Sequence, residues 1–490
     1  MPSACSAKPA YPLLTAPELT EAAPIAESSP AAPVEPPTRL LGALAYVGPG
    51  LLVAATVVGS GELIATTKTG AQVGIIFLWL IILGCLSKVF VQVELGRYAI
   101  SAGEPTLQAL DRIPGPRFRA NWIIWLWIII TPAAFAILGG VLGGVGQAMS
   151  MTLPLTGDYV AGLAQTGEVT GSTLDDRLWA TIIAVATAAL LTIGRYRLIE
   201  RVAFGLVAMF TLITIVTVCM LQFSPYRLSA GDILLGLSFR LPDQAGASFT
   251  ALATFGIIGV GALDLIAYSY WCLEKGYARN CGPRSDSDAW LNRARGWVRV
   301  MKVDTFVAMA IYTIATLAFY VIGAAVLHRD SLDPDGMRMI STLIAAYVPV
   351  FGAYARWLLL IGALAVLYSS FLVSIAAAAR LFTDGLALLK VIDGHDPGVR
   401  QRSVTRLSLA LPLVALAGFL TGWNPVLLIL IGGMAQTLLL PVVGFGALYL
   451  RFRLTDPRLA PGRVWDAALI LSCLGFLVVG AFGVYQIIGA

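Results

Sequence analysis

Eleven apolar segments, each long enough to cross a lipid bilayer, follow one another at about 41–66, 73–97, 121–150, 177–194, 201–223, 249–273, 302–327, 353–380, 405–422, 424–450 and 465–488. About 20 apolar residues suffice to span the hydrocarbon core. Inside that core every backbone N–H and C=O must be satisfied within the segment, so each segment reads as a helix. Composition agrees, with 58% of residues hydrophobic and 12% charged; soluble domains carry roughly 45–50% and 25%. So few charges cannot cover that much apolar surface in water, which excludes a soluble enzyme. The expected fold class is an all-α, multi-pass membrane protein with eleven transmembrane helices.

Charge placement tests the count. With the amino terminus inside and eleven crossings, 25 of the 33 Lys and Arg residues fall on inside segments and seven outside, while Lys88 lies within a span. That is the cytoplasmic bias of inserted proteins. It implies a cytosolic amino terminus and an external carboxyl terminus, in a plasma (inner) membrane. It also accounts for the net charge of +5 without nucleic acid. Residues 1–38 hold nine prolines and read as a disordered cytosolic tail, leaving 39–488 as a single transmembrane domain. The polar stretch 337–352 reads as an amphipathic helix along the interface.

Metal and nucleotide motifs are scarce. The six cysteines fall singly, with no Cys-x-x-Cys, so neither a disulfide framework nor a zinc site follows. The two histidines, His328 and His395, lie outside the apolar runs, which excludes a multi-histidine centre. No Walker motif occurs, so ATP is not an expected partner.

The chain repeats itself once in an informative place. Span one contains Gly59-Ser60-Gly61-Glu62-Leu63-Ile64-Ala65, and span six contains Gly261-Ala262-Leu263-Asp264-Leu265-Ile266-Ala267. Both read Gly-x-x-acid-Leu-Ile-Ala. Five helices separate them, and an odd offset gives the second copy the opposite membrane orientation, the mark of an inverted repeat. A charge at mid-membrane costs about 2.5–3.5 kcal/mol on insertion scales, so such acids face a cavity, a partner or an ion. The glycines around Gly59 and Gly261 lower helix stability and allow a turn to unwind. Freed carbonyl oxygens beside a carboxylate then form a cation site.

Further motifs fall in a telling order: Gly48-Pro49-Gly50, then Gly70-Ala71-x-x-Gly74-x-x-x-Leu78-Trp79, then Arg195-Tyr196-Arg197-x-x-Glu200, then Gln436 with Leu440-Pro441. Together they resemble the Nramp family of divalent-metal transporters, over about residues 41–488. The resemblance implies a secondary transporter and not an enzyme, with no cofactor beyond the transported cation and H⁺ coupling. It implies a five-plus-five inverted-repeat (LeuT-like) fold, with repeat one at about 41–223, repeat two at 249–450 and an extra helix at 465–488. Helices one and six would be broken, with a metal where they meet.

The departures fall at that site. Where the family has Asp-Pro-Gly-Asn, this chain has Gly59-Ser60-Gly61-Glu62; where it has Met-Pro-His, this chain has Leu263-Asp264-Leu265. The family's acids in helix three are missing from 121–150. The expected ligands are therefore oxygen donors only: Glu62, Asp264, Ser60, Gln436, and carbonyls near 55–59, including Gly59, and at Gly261. Oxygen sets suit Mg²⁺ or Mn²⁺ over softer metals. Two carboxylates match one divalent cation and could exchange it for protons without helix three.

Other residues carry plainer readings. Lys88 reads as snorkelling to the nearer interface, or as neutralising an acid on another helix in place of an ion. Glu94 and Arg97 read as a helix-end ion pair. Gly139, Gly140, Gly143 and Gly144 read as close helix packing. Asp304 and Arg380 read as solvated helix-end charges, and Tyr268 and Tyr270 as core or gate. Two competing functions use the same residues: an organic-cation or amino-acid transporter of this fold and, in another class, a cation channel or intramembrane enzyme.

Overall fold

The computed structural model describes residues 33–166, 171–193, 197–241 and 246–488. Most of the expected tail at 1–38 lies outside the described residues, as do Arg195 and Tyr196. Its last residues are ordered against the bundle. Val34 N donates to Asn280 O at 3.0 Å, Trp297 Nε1 donates to Val34 O at 2.9 Å, and Glu35 pairs with Arg293 at 3.6 Å.

The architecture is helical. Its long elements are α1 (Pro49–Val73), α2 (Leu78–Ala102), α3 (Trp122–Thr152), α4 (Leu174–Ile193) and α5 (Arg197–Leu221). After these come α6a (Ala247–Ile257), α6b (Ala262–Glu274), α7 (Asp288–Leu327), α8 (Ala355–Leu388), α9 (Pro397–Leu420), α10 (Pro425–Leu454) and α11 (Arg463–Ile488). Among the described residues, ten helices are long and apolar enough to cross a membrane, α6a and α6b counting as one. The eleventh expected span coincides with α5, a helix of 25 residues whose apolar part among the described residues is Val207–Leu221. Between α2 and α3, two two-residue strands, Arg117–Phe118 and Ala120–Asn121, pair around Arg119.

Local sequence sets the helix starts. Pro49, Pro397 and Pro425 stand in the first turn, where a missing N–H costs nothing. Asn121, Ser287, Asp396 and Asn424 cap α3, α7, α9 and α10 by accepting backbone N–H bonds. Asp304 does the same for α1 from another helix. It accepts from Gly48 N at 2.8 Å, Gly50 N at 2.6 Å and the Tyr268 hydroxyl at 3.1 Å. This corrects the expectation of a solvated residue: Asp304 is fully buried because it answers the orphan donors of α1. Tyr268 is thereby a core residue, and Tyr270 likewise donates to Asp384 at 2.8 Å. Arg380 is half-buried and pairs with Glu274.

The repeat is visible in the packing. α1 contacts α6a and α6b, α2 packs on α7, α3 on α8 and α4 on α9, so counterparts meet across a pseudo-two-fold axis. α5 lies against α8 as α10 lies against α3. The connections sort onto two faces. On one, Arg97 donates to Leu459 O at 2.9 Å, Arg295 to Arg458 O at 3.1 Å, and Arg400 pairs with Asp384 at 2.6 Å. On the other, Lys68 pairs with Asp333 at 2.7 Å and Arg329 donates to Arg227 O at 3.2 Å.

Lipid gives helices no hydrophobic reason to associate, so close packing of small residues must do it. In α3, Gly139 and Gly140 lie on the Ala415 and Pro425 carbonyls, and Gly143 on the Phe419 ring. Gly433 of α10 lies on the Ala253 carbonyl of α6a. A methyl added at Gly433 would overlap that oxygen. Gly433→Ala is therefore expected to lower the thermal unfolding midpoint in detergent, by an overpacking cost of about 1–3 kcal/mol. Gly475→Ala on α11, where an added methyl meets nothing within 4 Å, should leave it unchanged or raise it slightly. Equal midpoints for the two variants would contradict this packing.

Candidate functional site

The break in the sixth span supplies the site. α6a ends at Ile257, the backbone turns extended at Ile258 (φ −63°, ψ 152°), and Gly259 adopts φ +69°. That left-handed conformation favours glycine, and the Gly259 backbone also lies close against Cys85 of α2. α6b restarts after Gly261. The interruption leaves carbonyls unpaired at the end of α6a, where the half-helix dipole is negative, and N–H groups unpaired at the start of α6b, where it is positive.

Lys88 answers the negative end. Its ammonium donates to Phe255 O at 2.5 Å, to Ile258 O at 2.7 Å and to Gly256 O at 3.3 Å, and lies 5.2 Å from the Phe255 ring centre. Lys88 is fully buried, so it does not snorkel. The carbonyls freed by the break hold it where an interfacial route would leave them unpaired. Where the sequence suggested an acid on another helix, its hydrogen bonds go to backbone carbonyls.

Gln436 and Asp264 meet the positive end. Gln436 Oε1 accepts from Leu263 N at 3.2 Å, and Gly261 leaves room for it. Asp264, in the first turn of α6b, accepts from the Thr56 hydroxyl of α1 at 3.2 Å. Asp264, Gln436, Thr56 and Ser374 bring oxygen to the wall of a cavity of about 60 Å³, completed by side chains such as Phe135 and Leu263.

α1 is not interrupted as the sequence suggested. It stays helical through a π-helical segment, Val58–Thr66. Gly59 is pressed against Ser370 and the Val366 carbonyl of α8, and Ser370 donates to the Thr56 carbonyl. That carbonyl is thus satisfied by the protein. The Ser60 side chain lies outside the described residues. Glu62 turns toward α7, where Thr316 donates to its Oε1 at 2.7 Å; its Oε2 is buried with no hydrogen-bond partner.

The six expected ligands therefore do not surround one point. Asp264, Gln436 and Gly261 come together at the cavity. Gly59 packs on α8, and Glu62 lies outside the cavity wall. Among the described residues no group of three or more His, Cys, Asp or Glu gathers as a metal cage. Thr56 was missed as a wall residue, although it falls inside the 55–59 stretch singled out for its carbonyls, and Ser374 of α8 joins it there.

Residues 50–479 match the Nramp family, described as natural resistance-associated macrophage protein-like. A metal transporter of rice (Oryza sativa subsp. japonica), NRAT1, is 23% identical over 63% of this chain, which spans half the length of that relative. The divalent metal cation transporter MntH of Caldanaerobacter subterraneus subsp. tengcongensis is 21% identical, over 76% of this chain and 77% of its own. A crystal structure of the Eremococcus coleocola manganese transporter superposes with a TM-score of 0.65 at 18% identity, covering 93% of this chain and 90% of the other. That likeness is one of fold.

The Lys88 contact makes a measurable claim. Lys88→Met strips the donor from carbonyls that cannot reach water, at about 1–3 kcal/mol for each group left unsatisfied. A thermal midpoint several degrees below wild type in detergent is expected; an unchanged midpoint would show that the contact carries little.

Proposed function

The chain belongs to the Nramp family, and from that premise we propose that it moves a divalent metal cation across the membrane by alternating access. Mn²⁺ or Mg²⁺ is the favoured cargo, ahead of Fe²⁺ or Zn²⁺. The observation that carries this reading is the cavity at the α6 break: its donors are carboxylate, amide and hydroxyl oxygens, with neither sulfur nor imidazole. Such a set favours hard cations.

Size argues in the same direction. Organic ligands occupy pockets of about 300–1,000 Å³, whereas this cavity measures about 60 Å³. It fits an ion with a few waters better than an amino acid. The similar proteins, a metal transporter, a divalent metal cation transporter and a manganese transporter, support the same reading.

Asp264 is the charge that faces the cargo. Lys88 and Glu62 are both fully buried, and Lys88 is held by the carbonyls at the break. We read proton coupling as exchange at the two carboxylates, since α3 offers no acid over 121–150. The unpartnered Glu62 oxygen is a place for such a proton. The moving part would be α1 with α6a and α6b, against a scaffold in which α3, α4, α8 and α9 pack on one another.

Uptake into proteoliposomes, with a panel of divalent cations and with or without a pH gradient, tests the proposal. Saturable uptake led by Mn²⁺ or Mg²⁺ is expected. Asp264→Asn should reduce it by about tenfold or more, the loss typical of a charged hydrogen-bonding partner. Glu62→Gln should keep metal uptake but lose its response to the gradient. Wild-type flux in Asp264→Asn, or inhibition by amines and not by metals, would defeat the metal reading.

A further inference from the structure

A second cleft opens on the basic face, away from the α6 break. It measures about 260 Å³ and is lined by Arg97 of α2, by Arg295, Arg299 and Lys302 of α7, and by Arg458 and its neighbours after α10. Five basic side chains face it, and its wall holds no carboxylate.

Two of the five are already answered. Arg97 pairs with Glu94 at 3.0 Å, as its helix-end spacing suggested, and the pair is buried. Arg458 pairs with Asp456 at 2.8 Å and Asp286 at 3.2 Å. The hydrogen bond from Arg458 holds the Asp456 carboxyl down at about 2, so that pair stays ionised.

The other three have no carboxylate partner, although Arg295 donates to the Arg458 carbonyl at 3.1 Å. Among the described residues no carboxylate lies within ion-pair distance of Arg295, Arg299 or Lys302. They stand four and three residues apart on one face of α7, the spacing at which like charges meet and repel. Lys302 also feels the positive charge of Arg97, against the negative charge of Glu94. By itself such a column is unfavourable; around an anion with several oxygens it becomes favourable. Arginine forks match phosphate oxygens two at a time.

The depth of the cleft is marked by Trp465. Lys302 lies 4.8 Å from its ring centre, and its indole N–H donates to Glu94 at 2.7 Å. Tryptophan gathers at the membrane–water interface. Beside it α11 exposes Val464 and Leu471, at 86% and 70%. The cleft thus sits where headgroups meet acyl chains, a place where basic pockets between helices take anionic headgroups.

We propose that this cleft binds a phosphate-bearing anion, with Arg295, Arg299 and Lys302 supplying the charge and Val298 and Pro461 the apolar flank. An anionic phospholipid headgroup and a soluble phosphate share that chemistry. Bound there, the anion ties the α10–α11 connection to α2 and α7. The proposal stands apart from the metal reading, because none of these residues touches the α6 cavity.

The test uses the full chain in nanodiscs of phosphatidylcholine, with or without a minor fraction of phosphatidylglycerol. Lipid retained on extraction is read by native mass spectrometry and stability by the thermal midpoint. Wild type should retain phosphatidylglycerol and unfold at a higher midpoint with it. Each charge removed should weaken retention about fivefold, so R299Q alone loses about fivefold and R295Q/R299Q/K302Q about a hundredfold. A charge-matched variant of exposed residues elsewhere on the same face, K390Q/R402Q/R406Q, should match wild type. If inorganic phosphate in pure phosphatidylcholine raises the wild-type midpoint and phosphatidylglycerol does not, the site takes soluble phosphate. Equal lipid retention by wild type and both cleft variants, with no response to inorganic phosphate, overturns the proposal.

Discussion

A helix broken in lipid must have its severed backbone groups answered by the protein, because the bilayer supplies no water to do it. At the α6 break this duty falls on the ammonium of Lys88. Burying an ammonium costs several kcal/mol unless its hydrogens are bonded; here it reaches the carbonyls of Phe255, Gly256 and Ile258. The contact fixes α2 against α6a, and two glycines make the approach possible. Gly259 lets the chain turn at φ +69°, and Gly84 gives the Ile258 side chain its space on α2. The rest of the site follows from where the break is pinned.

The two copies of Gly-x-x-acid-Leu-Ile-Ala reach different structures. In the second, a left-handed glycine interrupts the helix and Asp264 faces a cavity at the new amino end. In the first, neither Gly59 nor Gly61 adopts a positive φ, and widening into a π-helix absorbs the strain without breaking the segment. Ser370 closes over Gly59, and Glu62 is directed to Thr316. An inverted repeat thus supplies two acids of like register, and packing against different neighbours gives them different partners, Thr316 for Glu62 and Thr56 for Asp264. α8 meets the first copy; α10, with Gln436, meets the second.

Architecture was legible because it rests on period, length and charge, which each segment carries alone. The apolar runs, the alternation of basic loops and the glycine echo led to the helices, the two faces and the pairing of counterparts. Partners were not legible, because they come from other segments. Asp304 looked like a helix-end charge and proved to be the cap of α1, more than 250 residues away in sequence. Lys88 had no acid within a helical turn, which hid that its partners are carbonyls. The acids at 62 and 264 were found, but which way each would face depends on α7 and α10, and no spacing within spans one and six encodes that.

The tethered ammonium also fixes what a cargo must overcome. Carbonyls at the end of α6a are the natural cation seat of a broken helix, and Lys88 fills it. A metal in the proposed cavity therefore lies at the opposite end, before the amino terminus of α6b, where the dipole favours anions and opposes cations. Asp264 in that first turn reverses the local sign: the dipole stabilises its carboxylate, and the carboxylate then attracts the metal. The same dipole tempers the attraction. A single carboxylate with neutral oxygens, set against an opposing helix end and a nearby lysine, holds a divalent ion less tightly than two facing acids would. The proposed alternating access would need that balance, since a cation bound too firmly is not released on the far side.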